Sequence, residues 1–142
     1  MIVVDVNLLL YAVIDGFSEH PRTRQWWETT LNSTTEVGLT GPAVFGFLRI
    51  STNPRVLASP LPIEEATGQV TDWLAQPNVQ FLNPGRRHLE IVFKLLQDVG
   101  TAGNLTTDAQ LAAFAMEHDA DLCSNDADFG RFQGLRWVNP LA

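Results

Sequence analysis

The chain alternates from end to end between short apolar runs and longer amphipathic stretches, and few folds accept that pattern. The runs are "IVVD" (residues 2–5), "EVGLTG" (36–41), "VQFL" (79–82), "ADLCS" (120–124) and "LRWVNP" (135–140). Each is too short for a helix and favours β-branched or other apolar residues, so each reads as a strand. Helical spacing fills the intervals. "NLLLYAVID" comes first, then "SEHPRTRQWWETTLNS", with Ser18 as its cap, Pro21 in its first turn and Trp26, Trp27 and Leu31 for burial. "PAVFGFLRIST" is helical despite Gly46, and "IEEATGQVTDWLAQ" is amphipathic. "PGRRHLEIVFKLLQDVG" sets Leu89, Val92, Phe93 and Leu96 on one face and stops at Gly100. "GNLTTDAQLAAFAMEHD" turns Leu111, Ala112, Ala115 and Met116 inward. Strands alternating with helices imply a mainly parallel sheet covered on both faces. The expected fold is therefore a three-layer α/β/α domain with four to five central strands. No linker or repeat divides it, so one domain spans residues 1–142.

Within that frame the opening "MIVVDVNLLLYAV" places one carboxylate, Asp5, in a segment that is otherwise apolar. An unpaired buried carboxylate is costly, so Asp5 either caps the following helix or holds a cation. In open parallel sheets ligands bind beyond the carboxyl ends of the strands. Asp5 ends the first strand, and Asp126 and Asp128 follow the fourth. Asp108 opens the helix that precedes the fourth strand, which sets it at the same edge. Singly, Asp108 fits a capping box with Thr107 and Gln110, and Asp126 or Asp128 fits a turn cap. Together, four carboxylates on one rim repel and raise one another's pKa unless a cation neutralises them. Oxygen-only ligands suit Mg²⁺ or Mn²⁺. Ser124 lies on the same rim. His20, His88 and His118 fall on separate helices without ligand spacing and read as surface or helix-end residues.

Charge and cysteine usage narrow the function classes. Nine Lys and Arg against sixteen Asp and Glu leave a net charge of −7, which excludes sequence-independent coating of DNA. A nuclease remains open, because metal ions neutralise clustered carboxylates locally. Eight of the nine basic residues are arginine, the better phosphate fork, and Arg49 beside the rim is the leading phosphate contact. A single cysteine, Cys123, excludes a disulfide framework and a multi-cysteine zinc site. No apolar run is long enough to span a membrane and no signal peptide opens the chain, so the cytoplasm is expected. A receiver domain would want a lysine after a late strand, whereas Lys94 lies in a helix; an aspartyl phosphatase would want D-x-D where this chain has "DVN".

The segments "VVDVNLLLYA", "FLRISTNPRV", "GNLTTDAQLAAFAMEH" and "LCSNDADFGRFQGLRWVNPL" together resemble the PIN-domain ribonucleases, most closely the VapC-type toxins of bacterial toxin–antitoxin pairs. The resemblance runs nearly end to end. It implies a Mg²⁺- or Mn²⁺-dependent endoribonuclease, an RNA substrate, a cognate antitoxin that blocks the site, and a homodimer. Carried over residue by residue, it assigns metal binding to Asp5, Asp108 and Asp126, with Asp128 assisting directly or through water. Asn7, Arg49 and Ser124 are then substrate-binding positions. One departure stands out: Gly46 occupies the place of an expected glutamate, so one ligand is missing and Gly46→Glu is expected to restore a carboxylate facing Asp5. The alternative is a catalytically weakened module of the same fold that binds RNA or protein. Apolar residues of the early helices, among them Trp26 and Trp27, and of the helix from Ile63 to Leu74 exceed what one core needs. A self-association surface or antitoxin groove is expected there.

Overall fold

The computed structural model describes residues 1–142. Five strands, β1 (Ile2–Val4), β2 (Val37–Leu39), β3 (Val79–Phe81), β4 (Asp121–Cys123) and β5 (Trp137–Val138), form one sheet in the order β3-β2-β1-β4-β5. Every pairing is parallel. Six helices cover the sheet: α1 (Val6–Val13), α2 (His20–Leu31), α3 (Gly41–Ser51), α4 (Ile63–Leu74), α5 (His88–Val99) and α6 (Thr106–Glu117). The α/β/α expectation holds, with the parallel pattern complete. Short 3₁₀ turns at Gly103–Leu105 and Ala127–Arg131 flank α6 and β4.

Strand order fixes where a ligand would sit. From β1 the chain moves outward through β2 and β3, then returns to β1's other side for β4 and β5. The reversal therefore lies between β1 and β4, and the crevice beyond their carboxyl ends is the natural binding place. Val3, Val4, Val37, Leu39 and Leu122 are fully or almost fully buried, as doubly covered strands require. α6 is buried around most of its circumference, through Ala109 and Leu111 to Ala115. Its small residues let it lie close beneath the sheet and carry Asp108 to the strand ends.

Three local expectations need correction. Ser18 does not cap α2: Glu19 occupies the cap position, and the Ser18 hydroxyl donates to the Glu19 carboxylate at 2.9 Å. No side chain caps α6, which grows directly out of a 3₁₀ turn, so the Thr107–Gln110 capping box does not form. On α5 the buried residues are Val92 and Leu95, while Leu89 and Phe93 are 64% and 54% exposed. His88 opens α5, a helix-end residue as expected, and is half-buried there. Its Nδ1 lies 3.2 Å from Glu117 Oε1, both side chains are largely buried, and the ring packs against Phe114. Glu117 also accepts from the Gly85 N–H at 3.1 Å, which clasps the loop before α5 to the end of α6. Trp27 and Trp73 belong to the core, meeting edge to face at 5.7 Å. Cys123 is buried in β4, and burial pushes its thiol up to about 12, as an inert thiol should be.

Candidate active site

Asp5 leaves β1 in extended backbone and immediately caps α1, its Oδ1 accepting the Val6 N–H at 2.7 Å. Its Oδ2 accepts the Ser124 hydroxyl at 2.7 Å. Ser124 follows β4, so this bond spans the β1/β4 reversal. The Ser124 oxygen is itself crowded with donors, accepting the Asp126 N–H at 2.9 Å and the Asn7 amide at 3.3 Å. Ser124 is fully buried and its backbone is held to β5 through Val138 and Trp137. It fixes Asp5, Asn7 and Asp126 relative to one another. Its placement is that of a positioning group, in contrast to the substrate contact expected from the sequence. Cap and ligand readings of Asp5 are compatible, because each of its oxygens accepts one hydrogen bond and keeps a second lone pair.

Asp5, Asn7, Asp108 and Asp126 line one cleft of about 260 Å³, together with Pro42, Gly46, Arg49 and Thr107. Asp108 sits in the first turn of α6. Asp126 caps the 3₁₀ turn that follows, accepting the Asp128 N–H at 2.9 Å. Asp128 is exposed and is not part of the cleft wall. Burial raises the Asp5 carboxyl above the usual range against the pull of its Ser124 and Val6 hydrogen bonds, and Asp126 adds to the rise. Asp108 is raised to about 6, first by burial and then by the charges of Asp5, Asp126 and Asp128. The helix dipole at the start of α6 would favour its charge, so burial and neighbouring acids prevail.

These residues fit a hard divalent cation in donor chemistry. The cleft offers oxygens only, its carboxylates resist sharing negative charge, and Asn7 Oδ1 is buried without a hydrogen-bond partner. They are not gathered into a finished shell, since no three His, Cys, Asp or Glu side chains stand close enough together to ligate one ion.

Gly46 is placed otherwise than expected. It lines the cleft, but a Cβ there would meet Val6 Cγ2 at 2.7 Å and Cγ1 at 3.4 Å. The direction a glutamate side chain would take is filled by Val6, so Gly46→Glu cannot simply restore a ligand. Glycine stands there because α1 and α3 approach too closely for a side chain. Arg49 is exposed, lines the cleft and makes no ion pair or side-chain hydrogen bond. Thr107 and Pro42 join the cleft without any sign in the sequence beyond their neighbours.

The chain matches the PIN domain over residues 2–135. Ribonuclease VapC33 of Mycobacterium tuberculosis is 56% identical over 141 residues, covering 99% of both chains. Two solved structures share the fold. VapBC2 from Rickettsia felis, bound to a DNA fragment from its promoter, aligns with a TM-score of 0.71 at 16% identity, covering 98% of each chain. The sarcin-ricin loop cleaving toxin VapC20 of Mycobacterium tuberculosis aligns at 0.70 and 14% identity, covering 96% of this chain and 99% of that one. A parallel sheet with acids at its reversal defines the class, and the full-length identity narrows it: the chain belongs to the PIN-domain family, in its VapC branch.

Proposed function

We infer that this protein is a Mg²⁺- or Mn²⁺-dependent endoribonuclease and the toxin of a toxin–antitoxin pair. The observation that carries the reading is Asp5, buried at the β1/β4 reversal, fixed by Ser124 and facing Asp108 and Asp126 across one cleft. The name and full-length similarity of VapC33 support it. Asp5, Asp108 and Asp126 would hold the cation. When bound, the ion supplies a Lewis acid that lowers the pKa of an attacking water and neutralises charge on the phosphate. Ser124 keeps Asp5 oriented, Asn7 borders the cleft, and Arg49 contacts the phosphate. Asp128 acts on the cleft at longer range, through its charge or an intervening water.

The test is incubation of a mixed RNA pool with Mg²⁺, Mn²⁺ or EDTA, with product ends mapped by sequencing. Cleavage leaving 5′-phosphates, abolished by EDTA and by Asp5→Asn or Asp108→Asn, is expected. Undiminished cleavage by both variants, with melting curves matching the parent, would remove the metal-site reading.

The same proposal includes two protein partners. For the antitoxin we favour the groove of about 470 Å³ between α1, α2 and α4. Trp27 Nε1 lies buried there without an acceptor. Arg24 pairs with Glu28 at 2.9 Å, so Asp15, Glu65 and Asp72 leave the wall with a negative bias. For a homodimer the exposed Leu89 and Phe93, one turn apart on α5, supply an apolar stripe. No helix is long and apolar enough to cross a membrane.

A further inference from the structure

Sequence "VFGFLR" on α3 carries two phenylalanines with opposite fates. Phe47 is fully buried, whereas Phe45 is 63% exposed and contributes little to the core. Arg49 follows Phe45 by four residues, so both project from one side of the helix as neighbours. Phe45 and Arg49 line a second cleft of about 370 Å³, with Gly41, Pro42, Thr107 and Gln110. Pro42, Gly46, Arg49 and Thr107 also line the carboxylate cleft, so the two form one continuous groove. A Cβ on Gly41 would lie 3.8 Å from the Phe45 ring, so the ring lies beside the first turn of α3.

Arg49 is the one cationic side chain along this groove, and no carboxylate lies within ion-pair distance of it. Beside a cluster of acids, an unpaired arginine next to an exposed aromatic ring matches a strand that is anionic along its backbone and flat along its bases. Bases stack on aromatic faces whatever their identity, and they are available for this only when unpaired. Gln110 adds a side-chain amide, donor and acceptor, at the same wall, able to read a base edge.

We propose that Phe45 is a base-stacking platform for single-stranded RNA, holding the nucleotide next to the scissile phosphate while Arg49 holds a phosphate. This rests on the ribonuclease reading above and names the part of the groove that selects the substrate. It also accounts for an exposed phenylalanine on an otherwise well-packed helix.

The experiment has two readouts. Cleavage kinetics on a single-stranded RNA are compared for the parent, Phe45→Ala and Phe45→Trp. Binding is followed by the fluorescence of a 2-aminopurine placed in the same RNA, on an Asp108→Asn background with Mn²⁺. Phe45→Ala should raise KM about 5- to 150-fold, the range of one lost base stack, with kcat little changed, and should abolish 2-aminopurine quenching. Phe45→Trp should retain both. RNA cleavage with KM and quenching indifferent to Phe45→Ala overturns the platform and leaves the ribonuclease reading intact. If the parent cleaves no RNA, that reading fails; Phe45-dependent quenching would still support the platform, and quenching independent of Phe45 would end it. Light scattering accompanies each variant. A loss of mass on Phe45→Ala reassigns the ring to a contact between copies and also overturns the platform.

Discussion

Asp108 stays protonated two pH units above where an ordinary aspartate loses its proton, held at about 6 against a usual 3.8. Between those values the folded chain binds more protons than the unfolded one, so stability falls as pH rises through the window and levels off above it. Asp5, also raised, adds to the same slope. Metal-free protein should therefore melt higher at about pH 5 than at about pH 7.5. Asp108→Asn should flatten much of that difference and raise the melting temperature of EDTA-treated protein at neutral pH, because it removes one of several repelling charges. Mn²⁺ should reverse the order in the parent, since a cation binds the deprotonated carboxylates. Differential scanning calorimetry across pH, with and without Mn²⁺, checks all three statements; a melting temperature that rises with pH in EDTA would contradict the electrostatics of the cleft. The acids themselves were legible in the sequence, since an aspartate among valines and leucines is anomalous on its own. Their spacing was not, because it depends on Ser124 gathering Asp5, Asn7 and Asp126 through one oxygen, and a lone serine after a strand signals nothing.

Where α1 crosses α3, Gly46 and Val6 illustrate how an element can overrule propensity. Glycine inside a helix costs about 1 kcal/mol relative to alanine, so Gly46→Ala looks like a stabilising change from sequence. Here the added Cβ would press on Val6 Cγ2, and a β-branched side chain in a helix has little freedom to turn away. Overpacking of this kind costs about 1–3 kcal/mol, so the net effect should be neutral to destabilising by up to about 2 kcal/mol. Val6→Ala with Gly46→Ala should recover the propensity gain, leaving the double variant more stable than the sum of the two single changes in a chemical-denaturation double-mutant cycle. Simple additivity would show that the two helices are not in contact through this pair. Reading the chain alone exposed α3 and its glycine but not the crossing, which depends on a residue forty positions away. α5 failed similarly. Its apolar residues form two adjacent stripes, Leu89 with Phe93 and Val92 with Leu95, and periodicity cannot say which of the two the fold will cover.

At the scale of the whole molecule α1 joins the two grooves. Its first turns, at Val6, Asn7 and Leu10, border the carboxylate cleft; its last, at Ala12 and Val13, border the groove shared with α2 and α4. Eight helical residues span only about 12 Å, so a segment bound along α1 could occupy one groove and reach the other. An antitoxin docked by its chemistry at the far end would then deny RNA the near end. Because the chain carries a net charge of −7 and the far groove is walled by Asp15, Glu65 and Asp72, the complementary segment should be basic. Glu65 and Asp72 are exposed and make no ion pair, so Glu65→Gln with Asp72→Asn should leave the fold and the free protein's RNA cleavage unchanged. The double variant should slow association with the cognate antitoxin by about tenfold at low salt, with the difference shrinking as ionic strength rises and screens the remaining charge. Stopped-flow association rates at two salt concentrations provide the measurement. Equal rates for parent and variant would move the antitoxin away from this groove, and weakened RNA cleavage by the free variant would mean the two grooves already act as one.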